Sequence, residues 1–467
     1  MIIAAALDLG TTTIKAGLLS DDGMLNGIVA QAAPNISANC GRYESDALDY
    51  AEAADSVLAE CLKQTPLRPP LGLCSQRSSF LLWDRASGQP VTPLISWQDD
   101  RGAESCSALR GQEGVIRNLT GLPLTPYYLG PKLRVLLREH PDWLERLVSG
   151  EWLLGTLDTF LIWRWTSGKQ YMVDVSMAAR TLLMDVHSQQ WSSVLCEMFD
   201  VPLQILPQIK PSSGLDLQLE SGLVLQASMG DQSAALAASI AMGQPEALVN
   251  LGTGGFVVCH RSADKASPEG YLQTLLWQDA ARQVYMACEG TLNSIAAALS
   301  SYPVTECRVD ELGRDDIFCL AEPSGLGAPY FRNDWGITFS TSVEQLSPQH
   351  IARLLLEGVI FRVARILEDF QREFGIERVY LSGGLSNLPC LQQGIALCIP
   401  LPVHRLRQAD SSLIGAAQLA AGRTFYATRE AEKIDGSPLA PRLAEKYVYW
   451  KAWLDTKLRQ RPVGVVI

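Results

Sequence analysis

The sequence has little that would serve nucleic acid, membrane or structural-metal functions. Histidine is scarce. The five residues form no HExxH pattern and lie near no cysteine cluster, so no structural zinc site is expected. The 11 cysteines are irregularly spaced, include no CxxC pair and are odd in number. In a chain of this length that argues against a disulfide framework and fits a reducing cytoplasm. Basic residues are outnumbered, 39 Lys and Arg against 50 Asp and Glu, a formal net charge of −11. A nucleic-acid role is therefore disfavoured, and the acidic excess reads as a solubility feature. No run of about 18 uncharged apolar residues exists, so no membrane span is expected. The apolar N-terminus is short, has no basic start and is interrupted by Asp8. It reads as a buried strand rather than a signal peptide.

What is present is enough apolar residue for large cores. The 467 residues are 47% hydrophobic and 19% charged, which indicates folded, soluble domains, two or more by length. An apolar run over residues 3–9 leads into Gly10, Thr11, Thr12 and Thr13, and a second run follows at 14–19. Asp22 and Gly23 signal a turn into a third strand at 24–29, completing an antiparallel meander. The arrangement returns 242 residues later. A strand at 247–251 meets a turn of Gly252, Thr253, Gly254 and Gly255, then a strand at 256–260. Strand, donor-rich turn and strand all recur, so the chain reads as two copies of one domain type.

Helical and extended segments alternate after each meander. Residues 50–62 are amphipathic, and 71–74 form a short strand. In 351–374 the apolar residues Leu355, Val359, Val363, Ile366 and Phe370 mark one helix face, with Ser347 placed to cap its start and Gly375 its end. A meander followed by α/β alternation, twice, predicts two α/β domains with mixed sheets. The boundary is expected near Gly243, dividing the chain into 1–243 and 244–467.

Small residues with free N–H groups let a backbone approach phosphate closely, and Thr hydroxyls add donors. The two Gly/Thr turns are thus candidate phosphate cradles, with simple hairpin turns as the plain alternative. Asp8, just before the first, could hold a Mg²⁺ ion on phosphate oxygens. Asp231, between Gly230 and Gln232, follows an extended run and opens a helical one. It could cap that helix, or act as a catalytic base projecting from a rigid element. Ser382, Gly383 and Gly384 end a buried strand, where a flat ring could approach the backbone. Residues 410–417 form a small-residue helix start that carries no functional signal alone.

Taken together these motifs resemble the FGGY carbohydrate kinases, and within that family the glycerol kinase branch, from Ala6 to about Gly422. Residues 7–12 resemble the first phosphate motif. Ser75, Gln76 and Arg77, the run 97–101, and 120–127 resemble acceptor-site segments. Residues 155–159 and 179–181 fit family segments of unassigned role. Residues 230–232 resemble the catalytic motif, 252–256 the second phosphate motif, 325–330 a glycerol-kinase segment, and 382–384 with Asn387 the adenosine site.

The resemblance implies two ribonuclease-H-like domains of the actin, hexokinase and chaperone ATPase superfamily, with a cleft between them. It implies ATP-dependent phosphorylation of a hydroxyl of a small polyol or sugar, with Asp231 as general base. Asp8 and Asp231 would lie near Mg²⁺. Gly10, Thr11, Thr12, Thr13, Gly252, Thr253 and Gly254 would face the nucleotide phosphates, and Gly383, Gly384 and Asn387 the adenosine. Arg77, Ser78, Trp97, Tyr127, Asp231, Gln232 and Phe256 would line the acceptor pocket, aromatics covering the carbon chain and polar groups binding hydroxyls.

Two positions depart from the glycerol kinase pattern. Where a Glu holds a glycerol hydroxyl, this chain has Ser78, a loss of about 1.5–3 kcal/mol if nothing replaces it. The basic regulatory loop of glycerol kinases controlled by fructose 1,6-bisphosphate is replaced by the acidic stretch 215–222, so that regulation is not expected. A five-carbon ketose such as xylulose or ribulose is the alternative acceptor. A kinase that binds without reacting, or a nucleotide-binding switch of the same fold, is the alternative class. Arg77, Trp97, Tyr127 and Asp231 together speak against the switch. A cytoplasmic location is expected, and a homo-oligomer, dimer or tetramer, stays open.

Overall fold

The chain begins with three antiparallel strands, Ile2–Leu9, Thr13–Ser20 and Leu25–Ala32. The third runs past the expected end because its pairing continues to Thr13↔Ala32. These are features of a computed structural model, which describes all residues except 263–264, 266, 333, 408–409, 424–430, 437–439 and 460–467. Among the described residues, two compact units are resolved. The first comprises 1–238, 273–286 and 409–428, and the second 239–272, 287–408 and 429–467.

In the first unit, Leu71–Ser75 lies parallel to Ile2–Leu9, in register Ala5↔Leu71 to Leu9↔Ser75. Val224–Gly230 lies parallel on its far side, and Ser213–Gln218 closes that edge antiparallel. The result is a six-stranded mixed sheet. Side chains alternate across it. Leu7, Leu9, Leu71 and Leu73 join the core beneath the helix Ala47–Leu62. Each contributes about 1.5–3 kcal/mol by burial. Ala4, Ala6 and Asp8 share the other face, as do Gly72 and Cys74 of the neighbouring strand.

That second face is covered by the helix Ser411–Ala421. The small residues there have a steric reason. A Cβ on Gly72 would lie 2.1 Å from the Ala416 carbonyl oxygen, and one on Gly415 would lie 1.9 Å from that of Ala234. Backbone-to-backbone contact brings the helix start down to Asp8. Periodicity alone does not reveal this, because the helix belongs to the first unit although it lies far along the chain. A second core, around Phe80, Leu133, Leu154 and Phe199, supports the segments that follow Ser75.

The second unit repeats the plan. Glu246–Leu251 and Gly255–Arg261 pair antiparallel, and Arg378–Ser382 lies parallel to the first of them. Val403–Leu406 and Ala431–Ile434 extend the sheet. The helix Pro348–Phe374 fills its core with Leu355, Val359, Val363, Ile366 and Phe370. The Ser347 side chain accepts from the His350 amide at its start, and Gly375 ends it at φ 68°.

Candidate active site

In the first unit the Gly/Thr turn is tightly built. A Cβ on Gly10 would meet the Thr13 carbonyl oxygen at 2.6 Å, so glycine is required there. Thr12 is exposed and Thr13 opens the second strand. Beside the turn, Ser412 Oγ donates to Asp8 Oδ2 at 2.5 Å. Lys15 Nζ pairs with Asp410 Oδ1 at 2.6 Å. Burial pushes the Asp8 carboxyl up to about 6, the Ser412 bond opposing this and the Asp231 charge adding to it. Asp8 Oδ1 is sealed from solvent with no hydrogen-bond partner. A buried, unsatisfied carboxylate oxygen near a second acid suits a cation. Among the described residues no group of three or more His, Cys, Asp or Glu could hold one.

Asp231 opens the helix Asp231–Ser239, straight from the strand Val224–Gly230. Its Oδ1 accepts from the Gln232 amide at 2.7 Å. This is an adjacent-residue contact, not the bond to the second or third helical amide that defines an N-cap. The side chain keeps 30% of its surface exposed. Burial raises its pKa, while the charge of Arg77 and, further down, Arg180 pull it back. Arg77 is 3% exposed, and its Nε lies 3.8 Å from Asp231 Oδ1. Its Nη2 donates to Gln232 Oε1. Gly230 leaves room for this arginine, since a Cβ there would lie 2.7 Å from Arg77 Cδ.

Trp97 and Tyr127 stand 5.6 Å apart, centroid to centroid, at 50°. Trp97 Nε1 donates to Thr11 Oγ1 at 2.9 Å, and Thr11 Oγ1 lies 3.4 Å from Gln76 Oε1. Thr11 thus touches the acceptor-type residues directly. Ser78 is buried, sits at φ 64° and donates to the Arg180 carbonyl at 2.9 Å. Its hydroxyl proton is committed to the protein.

In the second unit the matching turn is closed by the Gly252 amide on the Gly254 carbonyl, at 2.9 Å. Thr253 is exposed, and its carbonyl accepts from the Ala296 amide. Phe256 is half-buried on the following strand. Gly383, at φ 86°, lies against this turn's strand. A Cβ there would meet the Leu251 carbonyl at 2.4 Å and Asn250 Oδ1 at 2.8 Å. Gly384 is open, and a Cβ there would have nothing within 4 Å. Asn387 Nδ2 donates to the Gly384 carbonyl at 3.2 Å, and its Oδ1 accepts from Arg405 at 3.3 Å. The loop 325–330 is held by Glu322, which accepts from the Gly327 amide at 2.9 Å, the Asn293 amide at 2.8 Å and Arg362 Nε at 2.7 Å.

Each unit thus brings its expected residues together: Asp8, Gly10, Thr11, Arg77, Ser78, Trp97, Tyr127, Asp231 and Gln232 in the first, and the 252–256 turn with Gly383, Gly384 and Asn387 in the second. Sequence reasoning gave no role to four others. Ser412 bonds Asp8, and Asp410 pairs with Lys15. The Arg180 charge acts on Asp231. Lys132 is fully buried, and its Nζ donates to the carbonyls of Ser96 at 2.8 Å and Ser78 at 3.3 Å, bracing both acceptor-type segments. Burial pushes its pKa down to about 7, opposed by Asp99 and aided by Arg101. The one available sequence signal was a lysine on the apolar face of the helix Leu129–Glu139.

The chain is similar to known proteins over most of its length. Residues 3–228 match the N-terminal domain of the FGGY family of carbohydrate kinases, and 247–423 match its C-terminal domain. The chain is 33% identical to a glycerol kinase of Alkalilimnicola ehrlichii over 447 residues, covering 89% of each protein. It is 32% identical to one of Rhodopirellula baltica, covering 90% of this chain and 83% of that one. In fold it is similar to Plasmodium falciparum glycerol kinase with ADP, at a TM-score of 0.87 and 21% identity, covering 98% and 99%. It is also similar to a xylulose kinase from Rhodospirillum rubrum, at 0.81 and 20%, covering 97% and 98%.

Proposed function

The chain belongs to the FGGY family of carbohydrate kinases, phosphotransferases with an alcohol acceptor, and we propose that it moves the γ-phosphoryl group of ATP to a hydroxyl of glycerol or a related polyol. The observation that carries this reading is the cluster of Asp231, Arg77 and Gln232 in one unit with the Trp97–Tyr127 pair. Aromatic faces cover a carbon chain, and the Arg77 and Gln232 groups hold hydroxyls.

Asp231 acts as general base. Burial makes its carboxylate a stronger proton acceptor than an exposed aspartate, and the Arg77 charge opposes that rise and favours the ionised form. It takes the proton from the acceptor hydroxyl as that oxygen attacks the terminal phosphorus. Asp8 is the residue that would hold magnesium, which neutralises phosphate oxygens when bound. The turn amides from Gly10 to Thr13 and from Gly252 to Gly254 orient phosphate, and Gly383, Gly384 and Asn387 border the adenosine. The exposed, Cβ-free backbone at Gly384 supports that last role.

One observation favours a second acceptor. Ser78 is buried and bound to Arg180, so no carboxylate stands where glycerol kinases hold a hydroxyl. A longer polyol or a five-carbon ketose gains by comparison. We place the protein in the cytoplasm, where its free thiols would persist. No described helix is long and apolar enough to cross a membrane.

The test is ADP release with Mg-ATP and glycerol, erythritol, xylulose, ribulose, sedoheptulose or gluconate. Acceptor-dependent release with glycerol or erythritol supports the reading. Release that ignores every acceptor would replace it with a nucleotide-binding switch.

A further inference from the structure

The second unit holds two thiols that the kinase chemistry does not use. Cys307 Sγ and Cys390 Sγ lie 3.2 Å apart, and Cys390 Sγ is 3.1 Å from the Cys307 carbonyl oxygen. Both are free. Their positions in the fold differ in kind. Cys307 is half-buried and ends the short turn Val304–Glu306. Cys390 is buried in the first turn of the helix Pro389–Cys398. That helix starts two residues after Asn387, so its first turn is continuous with the Gly384–Asn387 turn.

We propose that Cys307 and Cys390 form a redox-sensitive pair that closes reversibly to a disulfide and thereby changes nucleotide affinity at the adjoining Gly383, Gly384 and Asn387. The second half of this rests on the nucleotide reading given above; the first does not.

Three features support it. A disulfide needs sulfurs about 2.05 Å apart, so these must approach by only about 1.2 Å. One partner sits on a loop of short turns, which can supply that movement more easily than two packed helices could. Cys390 also lies at a helix N-terminus, where a thiolate is favoured. The contact with Cys307 pulls the Cys390 thiol down, against its burial and the charges of Glu311, Asp310 and Glu357, while the same contact and burial push the Cys307 thiol up.

The chemistry balances with a peroxide as oxidant. The pair's thiolate attacks one oxygen of hydrogen peroxide, the O–O bond breaks, and a sulfenic acid and hydroxide result. The second sulfur then attacks the sulfenic sulfur. An S–S bond forms, the S–O bond breaks, and the released hydroxide takes up the second thiol's proton as water. Two thiols lose two electrons and the peroxide gains them. A thiol reductant reverses the bond by exchange. In a reducing compartment such a bond is transient, as expected of a sensor.

The Cys307 loop supplies part of the closing movement, and the remainder pulls the start of the 389–398 helix toward Cys307. Gly383 has no slack to absorb this, being pressed against Leu251 and Asn250. The strain would fall on the Gly384–Asn387 turn.

The experiment uses the full-length reduced protein, treated with hydrogen peroxide and digested without reductant. Mass spectrometry is expected to find the peptides of Cys307 and Cys390 linked. ADP affinity of the oxidised protein is expected to shift by about fivefold or more and to return with dithiothreitol. Cys307→Ser is expected to keep the basal activity and lose both responses. Absence of the linked peptide while other thiols oxidise overturns the proposal, as does a linked peptide with unchanged ADP affinity. Failure of the reduced protein to bind ADP would instead count against the nucleotide assignment, because the linked peptide is read independently of it.

Discussion

The Trp97 indole N–H donates to the Thr11 hydroxyl at 2.9 Å, so a residue of the Gly/Thr turn is bonded to the Trp97–Tyr127 aromatic pair within one unit. Thr11 also contacts Gln76, whose amide group is held by Ser79 and Tyr50. Seating a phosphate on the turn and seating an acceptor on Trp97 would therefore bias the same hydrogen bonds. Trp97→Phe keeps the ring against Tyr127 and removes the donor, and Thr11→Val removes its partner. Each is expected to lower kcat/KM for the acceptor. A double-mutant cycle should give a coupling of about 0.5–1.5 kcal/mol. Strict additivity would show that the bond transmits nothing.

Asp231→Asn should lower kcat by roughly 10²–10⁴-fold. The fold should not suffer, because burial already disfavours the charged carboxylate. Near-normal turnover would remove the general-base assignment.

The Asp8 carboxyl is raised to about 6 in the fold, above its ordinary value of 3.8. Between those values the native chain binds a proton that the unfolded chain has lost, so this group's contribution to stability falls as pH rises through that window. Ligand-free Asp8→Asn is therefore expected to melt higher than the parent at pH 7.5, by about 2–4 °C, with the difference closing near pH 4. It should also lose the magnesium-dependent rate. Equal melting at pH 7.5 would show that Asp8 carries no buried-charge cost.

Lys132 has the opposite sign. Its pKa falls from 10.5 to about 7 on folding. Between these values the unfolded chain holds a proton the fold lacks, so its contribution to stability grows as pH rises. Chemical denaturation at pH 7 and pH 9.5 should show this gain in the parent and its loss in Lys132→Met. The variant should also raise the acceptor KM, since the Ser78 and Ser96 carbonyls lose their shared donor.

Ser78→Glu restores a carboxylate beside Arg77. It is expected to shift preference toward glycerol over longer acceptors, read as a ratio of kcat/KM values. The residue inherits a backbone at φ 64°, already adopted by Ser78, and displaces the bond to the Arg180 carbonyl. Its melting temperature should drop. An unchanged ratio in a folded variant would show that position 78 does not select the acceptor.

Local signals in the sequence carried much of the fold. Strand periodicity, the Gly/Thr turns and the capped apolar face of 348–374 depend on neighbours a few residues apart, and they determined the two meanders and the long helix. Asp8 and Asp231 could be picked out because a carboxylate beside a donor-rich turn or at a strand-to-helix junction fits phosphate and hydroxyl chemistry, whereas Arg77 and Trp97 stood out only through motifs that resemble the family. Only the tertiary structure decided how they are wired. Ser412 reaches Asp8 across 404 positions because Gly72 and Gly415 let backbones touch. Arg180 acts on Asp231, and Lys132 braces Ser78 and Ser96, through contacts between distant segments. Such pairings are set by how cores pack and by which buried polar groups must find partners, and no repeat along the chain encodes them.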